Sequence, residues 1–596
     1  MIKTTRYSSL AILLPAFAGG LSPCVLHAAD EVPILEEIVV TATRRAQTIS
    51  EVPLAISAFT GTQLQNRGIS DVQDLSAVSS SLLITTGPSE LSGTEVRIRG
   101  VGTTGSNPGL EPSVGIFVDN VYRSRTGLAV GDLLDIASVE ILRGPQGTLF
   151  GRNTSAGTIG IYTLKPEFEF GGYGEGTVQN YDGYVVSGGI TGPIVDDTLA
   201  FRLAASYNKR DGYVSDWLVP SREMYGRDRE TAKGQLLWRP NEAIDVRMIV
   251  DYQHKDENCC SSNYTTVGPT GPAIEALGGI VRADPYAYKA QQTFDSEDKL
   301  DEWGISIETN WAIEEDLSLT WIGAYRDADA YTNQDPDTSN VDLVQGIDWS
   351  QNNHFMSQEL RLNGVWGRVD WLAGAYYYTD EIDVDWQVTY GADFGGYFNL
   401  LTGLPAALFP EGAGDTSRYF KQKSKGWAFF THNIVELNEN YDLVMGFRWS
   451  NDQKDAKAII TNDTIHCDLV PFIPYCPVPD LHGSRGEDEP SGTIKLVRNL
   501  DIGNMYIGYS HGYKAGGFNL DRDAAITGFE FDPETVDSYE AGLKWASPDH
   551  SLEFSTDLFY SEFKDYQINV FDGIAFATTN AAKVNSHGVE LALSWR

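Results

Sequence analysis

From about residue 170 onward, apolar and polar side chains alternate within segments of roughly ten residues, the length of a membrane-crossing strand. In residues 199–207 the odd positions carry Leu199, Phe201, Leu203 and Tyr207, whereas the even positions are small or polar. The same period of two returns at residues 245–252, 317–325, 443–449 and 589–595. Aromatic residues tend to close these apolar rows. Such a pattern indicates β-strands with one face in lipid and the other in a lumen.

The connections between these segments alternate strictly in length. Short ones lie at 193–197, 241–243, 314–316, 438–440 and 548–550, and long polar or irregular ones at 256–301, 328–353, 380–424 and 456–490. Outer-membrane barrels have short periplasmic turns and long external loops. A soluble β-sandwich or propeller also has alternating strands, but it does not readily explain this regularity or aromatic rows that face outward. The pattern favours a mainly β chain with a transmembrane antiparallel β-barrel.

Composition agrees with many short strands joined by turns, because the 596 residues include 59 Gly and 29 Tyr. The sequence has no apolar run long enough to span a bilayer as a helix. Only helices and closed barrels satisfy every backbone polar group in hydrocarbon. A membrane form of this chain is therefore a barrel.

The first residues predict export. Lys3 and Arg6 form a charged start, residues 10–17 an apolar segment, and Ala28 with Ala29 a small-residue cleavage region, so residues 1–28 are expected to be a signal peptide. A lipoprotein signal ending at Cys24 is the alternative, but the preceding proline fits it poorly.

A formal net charge of −38 makes nucleic acid an improbable partner. Export favours disulfides, and the pair Cys467 and Cys476 is the preferred bridge, closing a short Pro-rich loop. The pairing of the adjacent Cys259 and Cys260 stays open. The nine histidines are scattered and no Ser/His/Asp or Cys/His set lies on matching segments, so neither an enzyme nor a cofactor is expected.

Residues 50–165 have the pattern of a compact α/β domain. The stretches 60–63 and 70–73 each place a hydroxyl residue three positions before Gln, which predicts two capping boxes and two short helices. Short strands are expected at 95–99, 114–118, 139–142 and 158–163, with a tight turn at Asp119 and Asn120.

Two stretches resemble a known family. Residues 139–166 read VEILRGPQGTLFGRNTSAGTIGIYTLKP and are similar to the plug motif of TonB-dependent outer-membrane receptors. A shorter stretch resembles the TonB box, the energy-coupling peptide of that family, and consists of Glu37, Ile38, Val39, Val40, Thr41 and Ala42. The resemblance implies a TonB-box segment at 30–49, a plug domain at 50–165 inside the lumen, and a barrel at 168–596.

The resemblance also implies residue roles. Plug arginines Arg99 and Arg143 would meet barrel glutamates Glu540 and Glu590, which lie at the polar phase of their strands and so point into the lumen. The alternative is that these lumen charges only hold water. Turn and packing positions of the plug motif are Gly100, Gly144, Pro145, Gly147, Gly151 and Gly157. The sequence 144–147 lacks the lysine and spacing of a phosphate-binding loop.

Family barrels have about 22 strands, whereas the period of two gives roughly sixteen here. The last segment ends on Arg596 rather than on an aromatic residue. The chain is therefore expected to be truncated at its C-terminus, because an open sheet edge in lipid would leave backbone groups unpaired. A smaller closed barrel would hardly hold a plug.

The implied function is energised uptake of a scarce ligand at the outer membrane of a Gram-negative bacterium. A ferric siderophore is the first choice, with cobalamin, oligosaccharide or another nutrient as alternatives and a passive porin as the alternative from a different class. Expected partners are TonB, outer-membrane lipid, the barrel-assembly machinery and the small-molecule ligand, with the receptor as a monomer. Loop aromatics that could stack on a ligand ring, or simply pack the loops, are Trp386, Tyr390, Phe394, Tyr397, Phe398 and Tyr419.

Overall fold

A computed structural model describes residues 38–596, apart from 104–106, 404, 406–414, 463–479, 521–527, 550, 572–575 and 596. The expected signal peptide, Glu37, the pair Cys467 and Cys476, and Arg596 lie outside the described residues. Among the described residues, no helix combines the length and the apolar character that crossing a membrane would need.

The N-terminal part, up to Thr163, contains ten short strands. They are β1 Val39–Val40, β2 Gln47–Thr48, β3 Ile56–Thr60, β4 Leu82–Thr85, β5 Glu95–Ile98, β6 Val101–Thr103, β7 Val114–Val118, β8 Val121–Arg123, β9 Ile136–Arg143 and β10 Gly157–Thr163. The helices of this part are α1 Gly61–Asn66, a 3-10 helix Val72–Ala77, α2 Glu90–Gly93, α3 Thr126–Ala129 and α4 Gly147–Phe150. All four predicted plug strands are present with ends within three residues of those expected, and the largest difference is the start of β9 at Ile136 rather than Val139.

Five of these strands form a mixed sheet in the order β3-β9-β10-β7-β8, in which only β10 and β7 are parallel. Its core consists of fully buried β-branched side chains such as Ile116, Val139, Ile141 and Ile159. The turn between β7 and β8 at Asp119 and Asn120 has positive φ at both residues (48° and 66°), as a tight hairpin turn requires.

The two predicted helix starts had different outcomes. Thr60 caps α1, and its capping box with Gln63 is confirmed. The second box, expected from the Ser70 hydroxyl to Gln73, was wrong by one residue. Asp71 is the N-cap there, and its carboxylate accepts from the Gln73 backbone, while Asp74 closes the box. Aspartate caps at least as well as serine, so the neighbouring carboxylate takes the position.

Sixteen strands in the described part of the chain form one sheet in which every neighbouring pair is antiparallel. In chain order, with the minor loop strands included, the elements are β11 Gly171–Val178, β12 Tyr184–Val195, β13 Leu199–Arg210, β14 Val214–Asp216, β15 Glu223–Met224, β16 Arg227–Asn241, β17 Ile244–Asn258, β18 Lys289–Ala290, β19 Glu297–Glu314, β20 Leu317–Gln334, β21 Val344–Trp366, β22 Val369–Tyr390, β23 Asp415–Asn438, β24 Tyr441–Asn462, β25 Leu481–Asn499, β26 Gly503–Lys514, β27 Gly517–Phe518, β28 Glu530–Phe531, β29 Glu534–Ala546, β30 Leu552–Phe571 and β31 Phe576–Trp595. Helices α5 Gly271–Ala276 and α6 Phe394–Thr402 lie in the long loops. The five minor strands pair outside the large sheet, so its sixteen strands match the count made from sequence.

The predicted inward and outward phases are confirmed. Leu203, Phe447 and Leu591 are half or more exposed on the outer face, whereas Arg202 and Arg448 on the opposite phase are buried. The buried face is covered by the N-terminal domain. Its side chains make ion pairs with strands from β13, third from one edge of the sheet, to β31 at the opposite edge, so this domain is a plug that fills the barrel lumen.

Candidate functional site

The site of interest is the plug–barrel interface, where the structure brings all four predicted charges together. Arg99 follows β5 with φ of 55°, at a turn that aims its side chain at the barrel, and Arg143 is the last residue of β9. Arg99 Nη1 lies 2.6 Å from Glu540 Oε1, and its Nη2 lies 2.9 Å from Glu590 Oε2. Arg143 Nη1 lies 3.0 Å from the same Glu590 oxygen. Two guanidinium groups of the plug therefore share two carboxylates of the barrel.

This group, the inner cluster, is shielded from water. The Arg99 side chain is 4 % exposed and Glu540 is 8 % exposed. The guanidinium of Arg99 also lies 3.8 Å from the centre of the Phe559 ring, at cation–π distance. Burial lowers the pKa of Arg99, but Glu540 and Glu590 outweigh it and hold that pKa above its usual value. The arrangement is an anchor whose charges are stabilised only while plug and barrel stay together.

The plug glycines lie around this anchor. Gly144 has φ of 76° and follows Arg143, and a Cβ atom there would lie 2.9 Å from Glu540 Oε1. At Gly157 φ is 151°, and a Cβ would lie 2.3 Å from the Leu142 carbonyl oxygen across the β9–β10 pair. The other motif residues line the turns beside the cluster or face barrel side chains, namely Gly100, Pro145, Gly147 and Gly151.

Residues 38–42 of the TonB-box stretch are folded in the structure. Val39 and Val40 pair with Thr48 and Gln47 in a hairpin. Val40 and Ala42 are buried in a cluster that includes plug and barrel side chains. Val40 lies in β1 and Ala42 in the turn that follows it. Two side chains of the box are thus buried in this conformation, whereas that of Val39 is exposed.

A plug carboxylate holds the box in place. The Thr41 backbone N–H donates to Glu140 Oε1 at 2.8 Å, and Glu140 lies on β9 three residues before Arg143. Burial raises the pKa of Glu140 to about 7, against the opposing effects of its Thr41 hydrogen bonds and of Arg44. Next along the chain, Arg45 Nε donates to Asp370 of the barrel at 3.0 Å.

A second charge cluster, the outer cluster, was missed from sequence and has the opposite polarity. Here the barrel supplies the cations, Arg229 at the start of β16 and Lys255 near the end of β17. Arg229 Nη1 lies 2.7 Å from Asp71, and its Nη2 lies 2.9 Å from Glu90. Lys255 Nζ lies 2.7 Å from Glu90. Both cations lie at lumen-facing positions of their strands, and the alternating pattern could have indicated this. Nothing in the sequence indicated their partners in the plug.

A third group, the middle cluster, joins plug and barrel through one carboxylate. Glu111 lies 2.9 Å from both Arg152 Nη1 in the plug and Lys454 Nζ on β24, and it is 1 % exposed. Burial raises the pKa of Glu111, but Arg152 and Lys454 outweigh it and lower that pKa to about 2. Glu111 is therefore ionised at any physiological pH.

The six loop aromatics pack the loops and the outer strand ends. The Tyr390 and Phe394 ring centres lie 4.5 Å apart, and Phe398 lies 4.8 Å from Phe394. Trp386 packs against Trp349, Tyr397 against a loop cluster around Val341, and the Tyr419 hydroxyl donates to Asp383. The contacts that the structure shows are with loop and strand residues, and stacking of these rings on a ligand stays a prediction.

One grouping of possible metal ligands occurs among the described residues, Cys259, Cys260 and Asp298, whose ligand atoms lie within 4.8 Å of one another. The two sulfur atoms are joined in a disulfide, which resolves the pairing left open from sequence. As a disulfide they are not available as thiolate ligands.

Sequence and structure comparisons identify the class of protein that this geometry represents. A family profile described as TonB-dependent receptor plug domain matches residues 48–158, and one described as TonB dependent receptor-like, beta-barrel, matches residues 261–596. The chain therefore belongs to the TonB-dependent receptor family, whose members are receptors of the Gram-negative outer membrane.

Individual relatives are distant but cover nearly the whole chain. The pesticin receptor of Yersinia pestis is 24 % identical over 100 % of this chain and 80 % of its own length. The ferrioxamine B receptor of Salmonella typhimurium is 22 % identical over 94 % of this chain and 74 % of its own. The crystal structure of the ferric yersiniabactin uptake receptor from Yersinia pestis superposes with a TM-score of 0.74 at 20 % identity, covering 91 % of this chain and 76 % of that one.

Proposed function

We propose that this receptor imports a ferric siderophore, with the inner cluster holding the plug in place until force transmitted by TonB loosens it. The observation that carries the proposal is a plug bound inside the barrel by buried ion pairs on several sides. Opening of the lumen would have to separate these paired charges inside the barrel, so we expect spontaneous opening to be rare and an energy input to be required.

This argument favours an energised receptor over a passive porin. A porin keeps a water-filled lumen, whereas here the plug is ion-paired both to β13 and to β31. The relatives named as receptors for ferrioxamine B and ferric yersiniabactin support an iron chelate as the ligand.

The coupling peptide is proposed to be residues 37–42. An extended segment with β-forming side chains can add as a strand to the sheet edge of a partner. In this chain Val39 and Val40 already pair with β2, so strand addition by TonB requires that the hairpin open and that Thr41 leave Glu140. Assembly by the barrel-assembly machinery into outer-membrane lipid, as a monomer, completes the proposal.

Uptake of radioactive iron by a deletion strain carrying the receptor gene tests the proposed ligand. Ferric siderophores should enter in an energy-dependent manner, and an uncoupler should stop entry. Accumulation of cobalamin or an oligosaccharide without accumulation of iron would show that the ligand is not a ferric siderophore. Uptake that persists in the presence of the uncoupler would favour a passive porin.

The box is tested with a matched pair of variants at Val39, whose side chain is 56 % exposed. Val39→Pro removes a backbone N–H and fixes φ, so it should abolish uptake while surface binding of the ferric chelate continues. Val39→Ala keeps the N–H and should transport normally. Equal uptake by the two variants would remove the box from the mechanism.

A further inference from the structure

The adjacent cysteines Cys259 and Cys260 have no role in the function proposed above. They directly follow β17, at the start of the loop formed by residues 259–296, and they form a disulfide with each other. Both are buried, at 4 % and 1 % exposure. A disulfide between neighbouring residues encloses no intervening residues. It therefore restricts the unfolded chain very little, and the usual explanation of how a disulfide stabilises a fold does not account for it. Its position suggests another task.

The pair lies where both ends of this outer loop meet the plug. Cys259 N–H donates to the Ser296 carbonyl at 3.1 Å, so the first residue of the loop is tied to the last. Cys260 N–H donates to the Pro88 carbonyl at 3.1 Å, and Pro88 belongs to the plug. The Gln292 side-chain amide donates to the Cys259 carbonyl at 3.1 Å. The disulfide thus lies at the joint between outer loop and plug.

The plug segment held there leads straight to the outer cluster. Asp298, beside the disulfide, accepts from the Ser89 hydroxyl and from the Glu90 backbone N–H, each at 2.9 Å. The Glu90 carboxylate in turn binds Lys255 and Arg229. A shift of the outer loop therefore reaches the barrel cations through three consecutive plug residues.

Backbone conformation explains why a disulfide is useful at this joint. Cys260 has φ of 71°, in the left-handed region that side-chain-bearing residues seldom adopt. The small ring closed by the disulfide restricts rotation about both residues. Without it, residue 260 would relax toward ordinary φ values, and its N–H would turn away from the Pro88 carbonyl.

We propose that the Cys259–Cys260 disulfide is a coupling joint, a positioning pair that transmits ligand-induced movement of the outer loop 259–296 to the plug segment 88–90 and the outer cluster. The loop also presents Tyr286 to the outside at 84 % exposure, where an incoming ligand would meet it. The identity of that ligand rests on the proposed function, but the mechanical connection does not.

The receptor chain in detergent tests the joint in two steps. Alkylation under denaturing conditions followed by mass spectrometry should find no free thiol at residues 259 and 260 before reduction and two after it. Hydrogen exchange of residues 88–93 should then be about tenfold faster in the double variant Cys259→Ala/Cys260→Ala than in wild type, because a local opening is favoured. Exchange in β10 should be unchanged, which shows that the plug core has folded.

A glycine variant serves as the matched control. Glycine adopts positive φ at little cost, so Cys259→Ala/Cys260→Gly should recover part of the protection that the alanine pair loses. Free thiols in the untreated protein, or equal exchange of residues 88–93 in all three proteins, would overturn the proposal.

Measurements of ligand binding and transport distinguish a loss of coupling from misfolding of the receptor. The alanine pair should bind a ferric chelate with unchanged affinity but import it at least about tenfold more slowly, as expected when two sites lose their coupling. Parallel loss of binding and uptake would indicate mere misfolding and count against a joint. If wild type imports no ferric chelate, the proposed function fails, while the thiol and exchange results still decide the joint.

Discussion

Replacing Arg99 by alanine should loosen the plug more than any other single change in the inner cluster. Arg99 alone contacts both Glu540 and Glu590, and its removal leaves two carboxylates with reduced compensation at 8 % and 15 % exposure. Breaking a buried pair costs about 3–5 kcal/mol, and the side chain also gives up its packing on Phe559. The expected loss in the free energy of plug unfolding is therefore about 4 kcal/mol.

The assay is hydrogen exchange of β10 amides in urea, while resistance of the barrel to dissociation in detergent shows that the sheet persists. Arg99→Lys keeps the charge but cannot reproduce the two parallel contacts with Glu590, so it should lose about half as much. In a double-mutant cycle of Arg99→Ala with Glu540→Ala, the coupling energy should be about 2 kcal/mol. Additive effects in that cycle, or an Arg99→Ala plug as stable as wild type, would refute the reasoning.

Three further outcomes are expected. Glu111→Gln leaves Arg152 and Lys454 without their shared carboxylate, and urea titration should show a loss of about 3 kcal/mol in plug stability. For Glu140, the folded pKa of about 7 exceeds the ordinary 4.5, so the folded plug binds the proton more tightly. Plug stability should accordingly fall by up to about 3 kcal/mol as pH rises from 4.5 through 7, and Glu140→Gln should remove this slope. Gly157→Ala places a Cβ against a backbone carbonyl, so the amount of folded receptor in the outer membrane should drop.

Much of the barrel could be predicted because its signals are local. In a strand with one face in lipid, the pattern of apolar and polar side chains repeats every two residues. The outward position of Leu203 or Leu591 therefore follows from a few neighbouring residues. The lumen-facing positions of Glu540 and Glu590 follow from the same phase. Their pairing with Arg99 and Arg143 came from family resemblance, since the plug arginines lie more than 400 residues away in the chain.

The outer and middle clusters could not be predicted, because they depend on which plug turn meets which strand. Arg229 and Asp71 are separated by 158 positions, and each residue by itself has the pattern of an ordinary solvated charge. The shift of the second helix cap from Ser70 to Asp71 has a more local cause, since two adjacent residues can both cap. The hairpin at the TonB box escaped prediction because its burial is provided by distant barrel residues such as Leu372.

Glu140, which contacts the TonB box, and Arg143, which belongs to the inner cluster, lie on the same strand. The two ends of the plug should therefore respond differently to a pull on the box. A pull on the box acts first on Thr41 and Glu140, and β9 then carries it three residues further to Arg143 and Glu590. The outer cluster holds the plug through Asp71 and Glu90, which lie on other segments, so that pull does not reach it directly. Movement of the outer loop acts on Glu90 instead. In the inner cluster the plug supplies the cations, whereas in the outer cluster the barrel supplies them. The two clusters share no residue, so charges freed in one cluster cannot pair with those of the other. The proposed pull of TonB and the proposed movement of the outer loop therefore act on separate contacts between plug and barrel.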